Sequence, residues 1–377
     1  MAKKTGTKSD TLALDIGSGS VGAAILSEAS GAARLSAVAR EPVGSGTDTS
    51  RAALTQATES ALKKLLERYT KEHIRKVVVA LAAPWHEAHI RTVSSASKQP
   101  ARITEETVTR AIARYQSEKS PREGNVDVEA VAVGVEVNGY RTALARPVTG
   151  STIGINLYES EMPTAVRQRF LSLIESAFPH ADISFSTFPL IALIALRSLV
   201  PETSFAILDV AGEVTEVLIM HDDALHHIGS FPEGLYGIAR GLAGEKDTTG
   251  DALSRLALFA RGELSQAEES AFAERYAKAF SAWREGFDEV MKTAAEHTPI
   301  PRMVYLLSDR EAAQWFTKGF AEQNTFDMDV TPVEAPLVQG AVELGEDGSY
   351  DVFLALAALF HRVGKTALPG DGYGEPA

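Results

Sequence analysis

Short apolar runs broken by small polar clusters fill residues 11–42 and predict a three-stranded meander, with a turn at Ser30-Gly31. A polar loop at 44–49 follows. In 50–69, Ala53, Leu54, Ala57, Ala61, Leu62, Leu65 and Leu66 recur at helical spacing. The run KVVVALA at 76–82 is apolar throughout, as in a strand buried on both faces, and Pro84 closes it. Strand and helix in this order predict an α/β architecture. The texture changes at about Trp85. A strand near 89–93 precedes a helix that opens at Ile103-Thr104-Glu105-Glu106, with Thr104 as N-cap and acids in the first turn, and runs to about Tyr115. Residues 117–126 are polar. A strand at 126–137 meets Asn138-Gly139, the strongest hairpin signal in the chain, with a return at 140–145 and a further strand at 152–158. Then come a helix at 162–178, a short strand at 183–185, a very apolar helix at 188–199, and a hairpin at 205–220 whose strands continue to about 228. Helices are predicted at 234–242, 251–260, 265–296, 310–321 and 351–362, with a strand at 303–307.

One pattern occurs twice. LALDIGSGSVGAAIL at 12–26 and AILDVAGEVTEVLIM at 206–220 align without gaps, placing Asp209 on Asp15, Val210 on Ile16 and Ile219 on Ile25. Each is strand, acid, turn, strand. Turn N–H groups that point one way make an anion-binding nest, and glycine lets backbone approach a ligand. The duplication predicts two similar lobes with a phosphate held between facing hairpins. Gly17, Gly19 and Gly22 also satisfy the dinucleotide fingerprint G-x-G-x-x-G, and an ordinary hairpin turn is the third reading. The second copy favours the clamp, and so does the segment after Gly22, which looks like another hairpin where a dinucleotide fold needs a helix.

Composition narrows this. The chain has 377 residues, a net charge of −13 and no cysteine. The charge disfavours broad nucleic-acid binding, and the absence of cysteine excludes disulfides, thiol catalysis and thiolate metal sites. MAKKTGTKSD lacks the apolar stretch of a signal peptide, and the ends, 1–10 and 366–377, are disordered by composition. The longest apolar run, 188–200, is interrupted by Arg197 and short for a bilayer. His221-Asp222-Asp223 with His226-His227 suits a metal site or, better, a turn flanked by histidines. Gly364-Lys365-Thr366 ends like a Walker A loop, but Leu359 stands where its earlier glycine belongs. The last helix suits core packing better than a membrane surface, since it is apolar on several sides.

With both hairpins in place, the chain resembles the FtsA/PilM family of bacterial actin-like ATPases over about 11–365. LDIGSGSV is similar to the family's first phosphate motif and FAILDVAGEVTEVLI to its second. RITEETVTRAI, AVAVGVEVNGYRTALARP and INLYES resemble the strand–helix–strand–strand insert that separates this family from actin, sugar kinases and heat-shock chaperone ATPases. FSTFPLIALIAL resembles the helix before the second lobe, and LHHIGSFPEGLYGIARGLA the strand, glycine pair and helix after the second motif.

The resemblance implies a two-lobed α/β actin-like fold. Residues 11–83 and 162–202 would form the first lobe and 84–161 the insert. Residues 203–244 and 299–365 would form the second lobe and 245–298 a helical subdomain. It implies ATP with Mg²⁺, with Asp15 and Asp209 at the metal. The backbone of Gly17, Ser18, Gly19 and Ser20 would cradle phosphates, with Asp209, Gly212 and Thr215 opposite, Gly234 near sugar and phosphates, and Ser308 in the adenosine motif. The departures are Ala211, Glu213 and Val214 in the second motif, Glu233 in the later glycine pair, and Ser308-Asp309-Arg310 where the family has Thr/Ser-Gly-Gly. Glu213 is unfavourable beside phosphates unless it turns away or binds metal. These departures imply a weak ATPase at most, or a pseudo-ATPase. The implied role is a cytoplasmic scaffold at the inner face of the cell membrane. Cell division is the first choice, through a tubulin-like division protein tail, and type IV pilus assembly the alternative, through a pilus inner-membrane protein tail. Self-association is possible, nucleic acid is not a partner, and membrane association is indirect. An actin-fold small-molecule kinase is the alternative of another class, but no residue here can be picked as its base.

Overall fold

The computed structural model describes residues 10–364, except 30–31, 45–48, 120–121, 143–146, 244–246, 323–324 and 345–349. Residues 1–9 of the expected disordered first end, the whole of the second, the Ser30-Gly31 turn, most of the 44–49 loop and Lys365-Thr366 lie outside the described residues; Asp10 opens a strand.

The first sheet starts with β1 (Asp10–Ile16), β2 (Ser20–Ala29) and β3 (Ala32–Pro42). Helix α1 (Arg51–Leu66) leads to β4 (Ile74–Leu81), which pairs parallel with β1. An insert follows: β5 (Glu87–Ile103), α2 (Glu105–Glu118), β6 (Asn125–Val137), β7 (Tyr140–Arg141) and β8 (Val148–Pro163). Helix α3 (Thr164–Ala177), β9 (Asp182–Thr187) and α4 (Phe188–Arg197) complete this half. The second sheet contains β10 (Phe205–Val210), β11 (Thr215–His221) and β12 (Ala224–Phe231). Helices α5 (Leu235–Leu242), α6 (Thr249–Ala260) and α7 (Gln266–Ala295) precede β13 (Met303–Leu307), α8 (Arg310–Glu322) and β14 (Asp329–Pro332). The chain closes with α9 (Ala335–Val338), β15 (Val342–Leu344) and α10 (Val352–Val363).

The sheets run β15-β3-β2-β1-β4-β9 and β12-β11-β10-β13-β14, with the insert as β5-β8-β6-β7. β1 and β10 are each buried on both faces, which explains the apolar runs Leu12–Leu14 and Phe205–Leu208 that lead up to their acids. Helices α4 and α10 pack on each other between the two large sheets, in one cluster that includes Ala13, Leu35, Phe205, Leu218 and Tyr305. Phe188–Leu196 are all buried, as expected of a helix apolar all round. The outer face of the first sheet packs on α1 and α3. The outer face of the second packs on α5, α7 and α8 through Phe280, Trp283, Phe287, Phe316 and Phe320.

Three findings correct the sequence reading. The insert strands are longer than expected: β5 runs straight into the cap of α2, where Thr104 and Thr107 form a reciprocal capping box, and β8 reaches Pro163. The short segments β14, α9 and β15 had no periodicity to announce them. The span 299–365 does not sit wholly with the second sheet: β15 pairs parallel with β3, covering that edge of the first sheet, and α10 lies against β1, β2 and β3. The Asn138-Gly139 hairpin is present, both residues at positive φ. So is a turn at Asp222-Asp223. Among the described residues no group of three or more His, Cys, Asp or Glu is placed to hold a metal, and no helix is long and apolar enough to cross a membrane.

The insert also reaches across. Gly134 on β6 abuts Ala224 of β12 so closely that a Cβ would come within 3.0 Å of the Ala224 Cβ. Arg141 Nη1 donates to the His221 carbonyl at 3.1 Å.

Candidate functional site

The two hairpins face each other at the carboxyl ends of β1 and β10. Asp15 and Asp209 end these strands, each 3% exposed. The first turn closes with Gly17 N–H donating to the Ser20 carbonyl at 3.0 Å, the second with Ala211 N–H donating to Val214 at 3.1 Å.

Each acid heads a row of cross-strand neighbours. In the first lobe the row is Asp15, Gly22 and Arg40; in the second it is Asp209, Glu216 and Ser230. Opposed residues of an antiparallel pair share a face. Gly22 has no side chain, and the Arg40 guanidinium lies in its place: a Cβ there would sit 2.6 Å from Nη2. Arg40 Nη2 donates to Asp15 at 2.9 Å and Nη1 to Ser20 Oγ at 2.8 Å. Nε and Nη2 form a fork on Asp351, the N-cap of α10, at 2.7 and 3.0 Å. The Phe353 ring lies 5.1 Å beneath the guanidinium.

The turns themselves touch. A Cβ on Gly212 would fall 2.6 Å from Gly19 Cα and 2.7 Å from Gly19 N. Glu213 N–H donates to the buried Ser18 hydroxyl at 2.9 Å, and Tyr236 OH donates to the Gly19 carbonyl at 2.8 Å. The amino end of α5 faces the second turn, with Leu235 N–H on the Ala211 carbonyl at 2.9 Å and Tyr236 N–H on the Gly212 carbonyl at 2.7 Å. Free N–H groups at a helix start would bind an anion; these already have partners. Gly234, the cap, is pressed so tightly that a Cβ would meet the Ala211 carbonyl at 2.4 Å.

Glu213, whose charge looked unfavourable in the sequence, is held by a two-pronged contact from Arg240 at 2.8 and 2.6 Å. Thr215 does not face the opposite hairpin. Its hydroxyl donates to the Glu233 carbonyl at 2.6 Å and accepts from Trp283 Nε1 at 2.9 Å, inside the second lobe. Strand alternation explains this: Glu216, next along β11, is the cross-strand partner of Asp209, so Thr215 points the other way. Glu216 instead accepts from Ala83 N–H at 3.2 Å and lies 3.4 Å from His86 Nε2.

Burial dominates the acids. It pushes Asp15 up to about 6, against the pull of Arg40 and helped by Asp351. It holds Asp209 well above the ordinary carboxylate range, reinforced by Glu216 and Asp15. Asp209 Oδ1 has no hydrogen-bond partner among the described residues, so a proton on this group is the physical expectation. Burial works against the charge on Arg40, yet Asp351 and Asp15 hold it well above the ordinary arginine value.

Of the candidate residues, Asp15, Gly17, Gly19, Ser20, Asp209 and Gly212 line one cavity with Arg40, Tyr236 and Asp309. Its volume is about 40 Å³, whereas small-molecule sites run to roughly 300–1,000 Å³. Ser18, Thr215 and Gly234 pack around it without lining it. Ser308 is buried and lines a neighbouring cavity of about 470 Å³ with Val333, Tyr350 and Asp351. A magnesium nucleoside triphosphate, the cofactor implied by the sequence, does not fit these residues as arranged. The turns meet backbone to backbone, the helix N–H groups are used, and a guanidinium sits on Asp15. Arg40, Glu216, Tyr236 and Asp351 were not singled out in the sequence. Gly22 opposite an inward-facing position of β3 was the available signal for Arg40.

No family model matches the sequence, and no curated protein does. Solved structures do. A chain of a PilM–PilN type IV pilus biogenesis complex is 16% identical with a TM-score of 0.63, covering 94% of this chain and 98% of that one. The ethanolamine utilization protein EutJ of Carboxydothermus hydrogenoformans is 12% identical at a TM-score of 0.48, covering 94% of this chain and 90% of that one. A Bacteroides thetaiotaomicron protein with an actin-like ATPase fold and unknown function is 11% identical at 0.41, covering 95% and 98%. The chain has the actin-like ATPase fold.

Proposed function

We propose that this chain is an actin-fold scaffold that recruits a protein partner to a membrane-associated envelope machine of the pilus-assembly kind, at the inner face of the cell membrane. The observation that carries the reading is a groove of about 510 Å³ on the insert. It is lined by His89 and Arg91 of β5, by Tyr115, Glu118 and Lys119 of α2, by Arg122, and by Glu159 and Glu161 of β8. Charges of both signs on a rigid sheet-and-helix platform suit an extended peptide with its own charges. Likeness over nearly the whole length to a chain of a PilM–PilN complex supports a pilus partner over the division partner expected first from the sequence. A small-molecule kinase is disfavoured, because phosphoryl transfer needs an open phosphate site beside a base, and the cleft between the hairpins is closed. We propose a division into two actin-like lobes, an insert at 84–161 and a helical subdomain at 245–298, with β15 and α10 assigned to the first lobe.

The test is fluorescence anisotropy with two labelled peptides: the cytoplasmic tail of a PilN-type pilus protein and the tail of a tubulin-like division protein. Binding of the first alone, weakened at least tenfold by Arg91→Glu with Arg122→Glu, is expected. Binding of the second alone would overturn the pilus reading, and binding of neither would remove the recruitment role.

A further inference from the structure

Four carboxyl groups converge on the cleft, two from each side. Asp15 and Asp351 belong to the first sheet and the helix that lies on it; Asp209 and Asp309 come from the ends of β10 and β13. Asp15, Asp209 and Asp309 line the cavity of about 40 Å³ and Asp351 the neighbouring one; ionised together, Asp15 and Asp351 would repel each other. A cation sits between these two. Arg40 hydrogen-bonds Asp15, Ser20 and Asp351, all on the first-sheet side of the cleft, and stacks over Phe353. The room for it is built in, because Gly22 supplies the space that a side chain would fill.

We propose that Arg40 is a resident counter-ion that takes the place the sequence assigns to Mg²⁺ beside Asp15, so that the first hairpin keeps its geometry with no metal bound. An arginine suits the task better than a lysine, since its planar fork matches Asp351 in two bonds, its face covers an aromatic ring and it cannot lose its proton. This inference stands on the cleft and not on the identity of the partner, so failure of the peptide experiment leaves it intact.

The experiment is thermal melting with small-angle X-ray scattering on wild type, Arg40→Ala and Gly22→Ala, each with and without millimolar MgCl₂ or MgATP. Wild type is expected to melt at the same temperature in all three conditions. Arg40→Ala is expected to melt several degrees lower with the radius of gyration of wild type, and MgCl₂ to restore the melting temperature by supplying the missing cation. Gly22→Ala keeps the charge but displaces the guanidinium, and shifts melting in the same direction by less; it decides the matter if Arg40→Ala does not fold. Stabilisation of wild type by MgATP would overturn the proposal. So would an Arg40→Ala protein that melts like wild type or ignores Mg²⁺, or a Gly22→Ala protein indistinguishable from wild type.

Discussion

Replacing Gly212 by alanine tests the closed cleft most directly. Gly212 does not have a positive φ, so alanine takes up its backbone without strain and the effect reports on the contact alone. The added Cβ falls 2.6 Å from Gly19 Cα, 2.7 Å from Gly19 N and 2.9 Å from Ser18 C, all of them backbone atoms that cannot rotate aside. Ordinary contact begins at 3.4 Å, so the hairpins must part by about 0.8 Å. A shift of this size along the contact stretches the Glu213 N–H to Ser18 hydroxyl bond from 2.9 Å to beyond useful range. Overpacking costs ~1–3 kcal/mol, and the lost bond to a buried hydroxyl adds ~1 kcal/mol. The total is roughly 2–4 kcal/mol. With an unfolding entropy of about 2.1 cal/mol/K per residue, the melting temperature falls by roughly 3–5 °C. Gly17→Ala is the matched control, because its Cβ meets the Ser20 carbonyl at 3.4 Å and the Ala82 Cβ at 4.0 Å, both ordinary contacts. Differential scanning calorimetry of both variants reads the difference. Equal melting of the two would refute the reasoning, since the hairpins would then not touch in solution.

Three further outcomes are expected. Tyr236→Phe removes the hydroxyl that bridges from α5 to the Gly19 carbonyl and lowers stability by ~1 kcal/mol in a urea melt; an unchanged midpoint would mean that water replaces it. Thr215→Val strands the buried Trp283 indole N–H and the Glu233 carbonyl, costing ~1–3 kcal/mol, while leaving the radius of gyration unchanged; expansion would place Thr215 in the cleft after all. For pH, the folded-state pKa of Asp15 lies above its ordinary value, so its contribution is fully present below about 4 and is lost as pH rises through about 6. Measured against Asp15→Asn, wild type loses at most ~3 kcal/mol across that window, and a difference that grows with pH would reverse the sign of the argument.

What the sequence disclosed and what it concealed follow the reach of the interactions. The duplicated hairpins were readable because each is local: strand, acid and turn lie within fifteen residues. The interior helix Phe188–Arg197 was readable from its unbroken apolar run, and the Asn138-Gly139 turn from its need for positive φ. The conflict at Glu213 was visible, but its partner Arg240 was not, since nothing in spacing ties a turn to the far side of α5. Arg40 is the extreme case: it bonds Asp351, 311 positions away. Thr215 was placed at the phosphates by its position in the resembled motif, which does not fix the face of β11 it takes, and one residue along a strand inverts the side chain. Segments as short as β14 and β15 carry no period at all; they exist because a neighbouring strand offers an unpaired edge.

The seating of the insert on β12 has a mechanical consequence. The insert leaves the first lobe through β5 and returns through β8, so covalently it hangs from that lobe alone. Its Gly134–Ala224 contact and the Arg141 bond to His221 add a second abutment on the other lobe. A tug on the insert by whatever docks there is thus shared between both lobes in parallel.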